Sequence, residues 1–179
     1  MRFDVVLKTF ADFFEREEIR YALVGGLAVY VWGMHSRSTH DVDFALDLSS
    51  RERVIEFTER SGYETLYVSD GFSNHLNADS QLGRVDLMYL KGKTADVVFA
   101  TAERRNFGEI DLPVARPELL AAMKATSMKN RPARVLIDAA DVQHLLSVPG
   151  VDREQIRNYF AEQGLLELFD AIERDTRRR

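Results

Sequence analysis

The sequence predicts an α+β fold, a small mixed sheet flanked by helices and followed by a C-terminal helical region. Three observations carry this. Short apolar runs with a two-residue period alternate with helical patterns through the first two thirds of the chain. Beyond Arg116-Pro117 only helical patterns remain. The 179 residues, 45% hydrophobic and 30% charged, are enough for one real core with ordinary soluble composition. The expected division is therefore 1–115 for the mixed part and 116–179 for helices packed on it, with no long linker between them.

Taken in order, Phe3, Val6, Leu7, Phe10, Phe13 and Phe14 recur at helical spacing and open the chain with an amphipathic helix. Tyr21 to Val24 is a short apolar run ending at Gly25-Gly26, a buried strand followed by a tight turn. Leu27 to Trp32 suits a helix packed on a sheet. Val42, Phe44 and Leu46 alternate with Asp41, Asp43 and Ala45, the period of a strand. Ser49 or Ser50 is expected to cap a helix through about Ser61, stopped by Gly62. Tyr63 to Val68 and Phe72 to Leu76 read as strands around Ser69-Asp70-Gly71, and Val85, Leu87 and Tyr89 mark another. Phe107 to Val114 reads as one or two short edge strands. Pro117 suits the first turn of a helix reaching about Asn130, and Pro132 starts the next. Asp152 caps a third helix that Gly164 ends, and Leu165 to Asp175 gives a fourth.

Composition narrows the function. The chain has no cysteine, which removes disulfides, thiolate catalysis and cysteine-based zinc sites. No apolar run has transmembrane length, and the N-terminal stretch carries acids inside its apolar pattern, unlike a signal peptide. A cytoplasmic setting, with no membrane partner, is expected. The formal net charge of -5 argues against a surface devoted to nucleic acid, because phosphate binding needs a positive face. A local basic patch remains available from Arg104-Arg105, Lys124, Lys129, Arg131 and Arg134. The run Arg177-Arg178-Arg179 reads as a solvated tail.

Three features carry chemistry. Gly25-Gly26 sits between a strand and a helix, where glycine permits positive φ and lets a phosphate approach the backbone; such a turn is also commonly just a turn. Asp41 and Asp43 lie two apart on a strand and so face the same way, at a cost in like-charge repulsion that a divalent cation relieves. The bland alternative is an edge strand with a polar solvent face. Asp86, in Arg84-Val85-Asp86-Leu87-Met88, is a lone acid on a later apolar strand. A strand beside the first would bring it to the Asp41/Asp43 pair, giving three carboxylates around one or two metal ions.

In this order, Gly25-Gly26, Asp41-Val42-Asp43 and Asp86 resemble the signature of the DNA polymerase β-like nucleotidyltransferase superfamily, over roughly Tyr21 to Leu90. Many members have Gly-Ser at the turn; here Gly26 replaces the serine. Within the superfamily the chain looks closest to the abortive-infection, AbiEii-like toxin group, through Gly-Gly, the approach Arg37-Ser38-Thr39-His40-Asp41, and a helical Lys124 followed by Asp138-Ala139-Ala140-Asp141. Ile137 stands where that group commonly has a lysine. The same Gly-Gly and Arg37 to Asp43 pattern also resembles nucleotidyltransferases that inactivate aminoglycosides or lincosamides.

The resemblance implies a small nucleotidyltransferase-fold sheet and a metal-dependent enzyme. Such an enzyme moves a nucleoside monophosphate from a nucleoside triphosphate (NTP) onto an acceptor hydroxyl and releases pyrophosphate. It implies Mg²⁺ or Mn²⁺, two ions, held by Asp41, Asp43 and Asp86, with Asp86 helping to activate the hydroxyl. Gly25 and Gly26 would meet the triphosphate through backbone, and Arg37 and Lys124 would neutralise it. Arg37 also reads as a surface residue, His40 as a strand start, Lys124 as a solvent-facing helical lysine. Asp138 and Asp141 share a helical face. The acceptor is left open among a tRNA end, a protein hydroxyl and a small antibiotic, with a cognate antitoxin as a partner of a toxin-type enzyme. The competing class is a non-catalytic nucleotide-binding interaction module.

Overall fold

The computed structural model describes residues 1–33 and 39–177. They fall into two compact units. One runs from Met1 to Val31 and on to Ala115; the other takes Arg116 onward together with Trp32 and Gly33.

The first unit is a mixed sheet with helices. Helix α1 (Phe3–Arg16) leads into β1 (Tyr21–Val24), α2 (Gly25–Val31) and β2 (Asp41–Asp47). A 3₁₀ turn (Leu48–Ser50) and α3 (Arg51–Arg60) precede β3 (Tyr63–Val68), β4 (Phe72–Asn77) and β5 (Arg84–Leu90). Helix α4 (Gly92–Thr101) then connects to β6 (Glu103–Phe107) and β7 (Ile110–Val114). The seven strands run in the order β3-β4-β5-β2-β1-β7-β6. Strands β2 and β5 are parallel, as are β1 and β7, and the other neighbouring pairs are antiparallel. Strand β7 therefore lies inside the sheet, and β6 is the edge.

One face of the sheet is closed by aromatics. Phe10 and Phe14 of α1 are fully buried and set their rings 5.9 and 5.2 Å from that of Phe44 on β2. Phe10 also meets Tyr63 of β3 and Phe57 of α3 edge-on. Val42, Phe44 and Leu46, all fully buried, hold β2 in register by burial, and a one-residue slip would invert every side chain on it. That burial forces Asp41 and Asp43 onto the opposite face.

The serine expected to cap α3 does something else. Ser50 donates its hydroxyl to the Asp47 carbonyl at 2.7 Å, and the Asp47 carboxylate accepts from the Ser49 amide at 3.0 Å. Asp47 is the capping residue, one 3₁₀ turn earlier than expected, and the Ser49 amide holds its carboxyl below the usual range. Helix α4 was not expected from the pattern at all: among its ten residues only Ala95 and Val98 are buried, too few to write a helical period.

The second unit is helical: α5 (Pro117–Asn130), a 3₁₀ turn at Pro132–Arg134, α6 (Val135–Leu145), α7 (Arg153–Glu162) and α8 (Leu166–Thr176). Pro117 opens α5 and the Asp152 side chain caps α7 by accepting from the Gln155 amide. Its core includes Leu120, Ala121, Ala125, Val142, Leu145, Ile156, Phe160 and Phe169. Among the described residues no helix is long and apolar enough to cross a membrane.

Candidate active site

The polar face of β2 and β5 is built by register. The parallel pairing sets Asp43 opposite Asp86 and Asp41 opposite Arg84. Strand periodicity keeps Asp41, Asp43, Arg84 and Asp86 on one side while Val42, Val85, Phe44 and Leu87 fill the other. One carboxylate oxygen from each of Asp41, Asp43 and Asp86 lies within 4.8 Å of the other two. Asp41 and Asp43 are half-buried and Asp86 is buried. Thr39 donates its hydroxyl to Asp41 Oδ1 at 2.8 Å.

Gly25 closes against this cluster. Its φ is +67°, and a Cβ added there would stand 2.0 Å from Asp43 Oδ2 and 2.8 Å from Asp43 Cβ. Only glycine admits both the backbone conformation and the close approach of the carboxylate. The donor set is three hard carboxylate oxygens gathered beside a glycine turn, which fits Mg²⁺ or Mn²⁺ rather than a softer ion.

A cation of the chain's own already lies in the cluster. Arg84 Nε donates to Asp86 Oδ1 at 2.7 Å, and Asn74 Nδ2 on β4 reaches the same oxygen at 3.3 Å. The Asp86 hydrogen bond holds the Arg84 guanidinium charge more firmly than usual, and Asp41 and Asp43 add to the effect. The i, i+2 relation of Arg84 to Asp86 is the sequence signal that could have singled it out. Asn74 needs the antiparallel pairing Asn74 to Asp86, which no local pattern announces.

Neither a family model nor a curated protein matches the sequence. Solved structures match the fold. The solution structure of the antibiotic-resistance factor ANT(2'')-Ia aligns over 100% of both chains with a TM-score of 0.73 at 11% identity. The lincosamide antibiotic adenylyltransferase LnuA, solved with lincomycin bound, aligns with a TM-score of 0.61 at 17% identity over 80% of this chain and 96% of its own. A nucleotidyltransferase-like protein from Paracoccidioides brasiliensis gives 0.59 at 17% identity over 96% and 92%. The chain has the nucleotidyltransferase fold.

The remaining expected site residues are Gly26, Arg37 and Lys124. Gly26 is buried in the first turn of α2, directly after Gly25. Arg37 lies outside the described residues. Lys124 sits on α5 in the helical unit and is buried rather than solvent-facing. Its Nζ lies 2.8 Å from Asp141 Oδ2 and 3.1 Å from Asp138 Oδ1, and both aspartates are fully buried on α6. Arg134 Nε approaches Asp138 Oδ2 at 3.7 Å. The shared helical face of Asp138 and Asp141 is thus turned inward, onto Lys124.

Proposed function

We propose that this chain is a metal-dependent nucleotidyltransferase that moves a nucleoside monophosphate from an NTP onto an acceptor hydroxyl and releases pyrophosphate. The observation that carries this reading is the convergence of Asp41, Asp43 and Asp86 within 4.8 Å beside the positive-φ Gly25. In this reading Asp41, Asp43 and Asp86 hold Mg²⁺ or Mn²⁺, two ions when the triphosphate is bound. Bound metal supplies charge stabilisation for the attacking and leaving oxygens. The chain's own groups do the rest. The Gly25-Gly26 backbone receives the triphosphate. Asp86 faces the acceptor hydroxyl and draws its proton as that oxygen attacks the α-phosphorus. The bond from the α-phosphorus to the bridging oxygen breaks, and pyrophosphate leaves. Arg37 and Lys124 enter only through the sequence resemblance, as groups that neutralise the triphosphate.

For the acceptor we favour a hydroxylated antibiotic, aminoglycoside or lincosamide, and an adenylyl donor. Two fold neighbours support this: ANT(2'')-Ia has been solved with adenylyl-2''-tobramycin and LnuA with lincomycin. A second reading is a toxin-type enzyme of the AbiEii-like group with a cognate antitoxin. It draws support from Lys124 being joined to Asp138 and Asp141, the element by which the sequence resembles that group.

The test is direct. Purified protein with Mg²⁺ and each of the four α-labelled NTPs is offered tobramycin, lincomycin and tRNA, and label transfer is followed. Asp43→Asn removes a charge at nearly constant size, and transfer is expected to fall by roughly 10²–10³-fold or more without loss of fold. Transfer that survives this substitution overturns the metal assignment. Label on tRNA alone favours the toxin-type reading over the antibiotic one.

A further inference from the structure

Arg84 is a charged group of the acidic cluster to which neither the sequence motifs nor the proposed reaction gives a task. Its backbone faces Asp41 across the β2/β5 pairing, and its guanidinium bonds Asp86. Its side chain is 43% exposed, whereas that of Asp86 is 12% exposed. Asp86 is therefore pinned from two sides, by Arg84 on its own strand and Asn74 on the next, and both donors converge on the same oxygen, Oδ1. A carboxylate with one oxygen held this way presents its other oxygen to any further ligand.

We propose that Arg84 is a positioning residue and the resident counter-cation of the site. It fixes the Asp86 carboxylate before metal arrives, and its positive charge opposes the metal that binds there. The inference rests on the metal-dependent reading above. It follows from elementary electrostatics: a fixed positive charge a few ångströms from a divalent cation site lowers affinity for that cation, while the hydrogen bond it donates keeps the carboxylate in one orientation. Solvent exposure on one side gives the guanidinium room to yield without disturbing the packed face of the sheet.

The signature is a pair of opposite effects. Mn²⁺ binding is measured by electron paramagnetic resonance on the full chain without nucleotide, and turnover is measured by label transfer. Arg84→Gln removes the charge and leaves only a weaker, neutral donor to hold Asp86. It is expected to tighten Mn²⁺ binding about tenfold, the scale of a unit charge near a divalent ion in a solvated site, while slowing transfer. Arg84→Lys keeps the charge, so its Mn²⁺ affinity should stay near wild type, yet transfer should fall because the fixed Nε contact is lost. A purely structural role for Arg84 predicts that Arg84→Gln weakens metal binding and transfer together, and an incidental surface pair predicts that neither moves; either result overturns the proposal. Asp43→Asn is the control. Loss of Mn²⁺ binding in that variant, with no tightening in Arg84→Gln, sinks this inference alone. Unchanged Mn²⁺ binding in Asp43→Asn sinks the metal reading and this inference with it.

Discussion

The molecule contains two carboxylate clusters with the same ingredients and opposite settings. In the sheet unit, Asp41, Asp43 and Asp86 gather on a partly exposed strand face with Arg84 reaching in from solvent. In the helical unit, Asp138 and Asp141 are wholly buried, with Lys124 sealed against them. Sequence spacing places acids on one face in both cases, two apart on a strand and three apart on a helix. Spacing does not decide whether that face meets water. Where water enters, crowded carboxylates can exchange their partner for a metal ion. Where it does not, removing the partner strands a charge in a low-dielectric interior.

Lys124→Met is the substitution that most severely tests this contrast. It leaves two buried carboxylates short of their ammonium, with Arg134 3.7 Å from one of them as partial relief. The expected loss is roughly 3–5 kcal/mol of stability, the usual cost of breaking a buried ion pair from one side, read from a urea midpoint. The companion Lys124→Met/Asp138→Asn/Asp141→Asn removes the charges together and should recover much of that loss. If the single substitution leaves the midpoint in place, the cluster is not closed to water. A folded Lys124→Met protein with a raised KM for NTP would move Lys124 toward the triphosphate role.

Much of the fold was legible because local rules sufficed. Tyr21–Val24 and Pro117–Asn130 end where glycine, or a helix-opening proline and the approach to Pro132, end them. The shared direction of Asp41 and Asp43 follows from strand period alone. What was hidden depends on partners distant in sequence. In β4 the inward residues are Ser73, His75 and Asn77, while Leu76 is 44% exposed, the inverse of an apolar-in strand. The inversion is stable because Ser73 Oγ bonds both His75 Nε2 and the Tyr89 hydroxyl at 2.8 Å, and Thr65 bonds His75 Nδ1. No reading of β4 by itself contains those partners. The same holds for Asn74, whose place beside Asp86 exists only once β4 and β5 pair.

A smaller perturbation sharpens the open half of the comparison. Gly25→Ala asks a side chain to adopt φ +67° and to occupy space now held by Asp43. The left-handed conformation alone costs about 1–2 kcal/mol, and relief of the clash requires the Asp43 carboxylate to turn away. A modest drop in melting temperature should therefore accompany a disproportionate loss of Mn²⁺ binding. Equal Mn²⁺ affinity in wild type and Gly25→Ala would show that Asp43 does not depend on the glycine for its place.

The network under β4 supplies a third kind of cluster, buried and hydrogen-bonded but neutral, and the smallest of these effects. His75 lies on the opposite face of the sheet from Asp86, among Ser73, Thr65 and Tyr89, with Glu59 joined through Thr65. Burial lowers its pKa, and the nearby Glu59 and Asp86 charges only partly offset this. The unfolded chain therefore takes up the proton first as pH falls. Stability from the neutral ring is complete above the unfolded value, about 6.5, and is lost as pH drops from there through the lower folded value. Denaturant midpoints between pH 7.5 and 5.5 should decline for the wild type and decline less steeply for His75→Gln, which cannot titrate. Parallel slopes in wild type and His75→Gln would mean that His75 tolerates a proton where it stands, and that the neutral network is closer in kind to the open carboxylate face than to the sealed one.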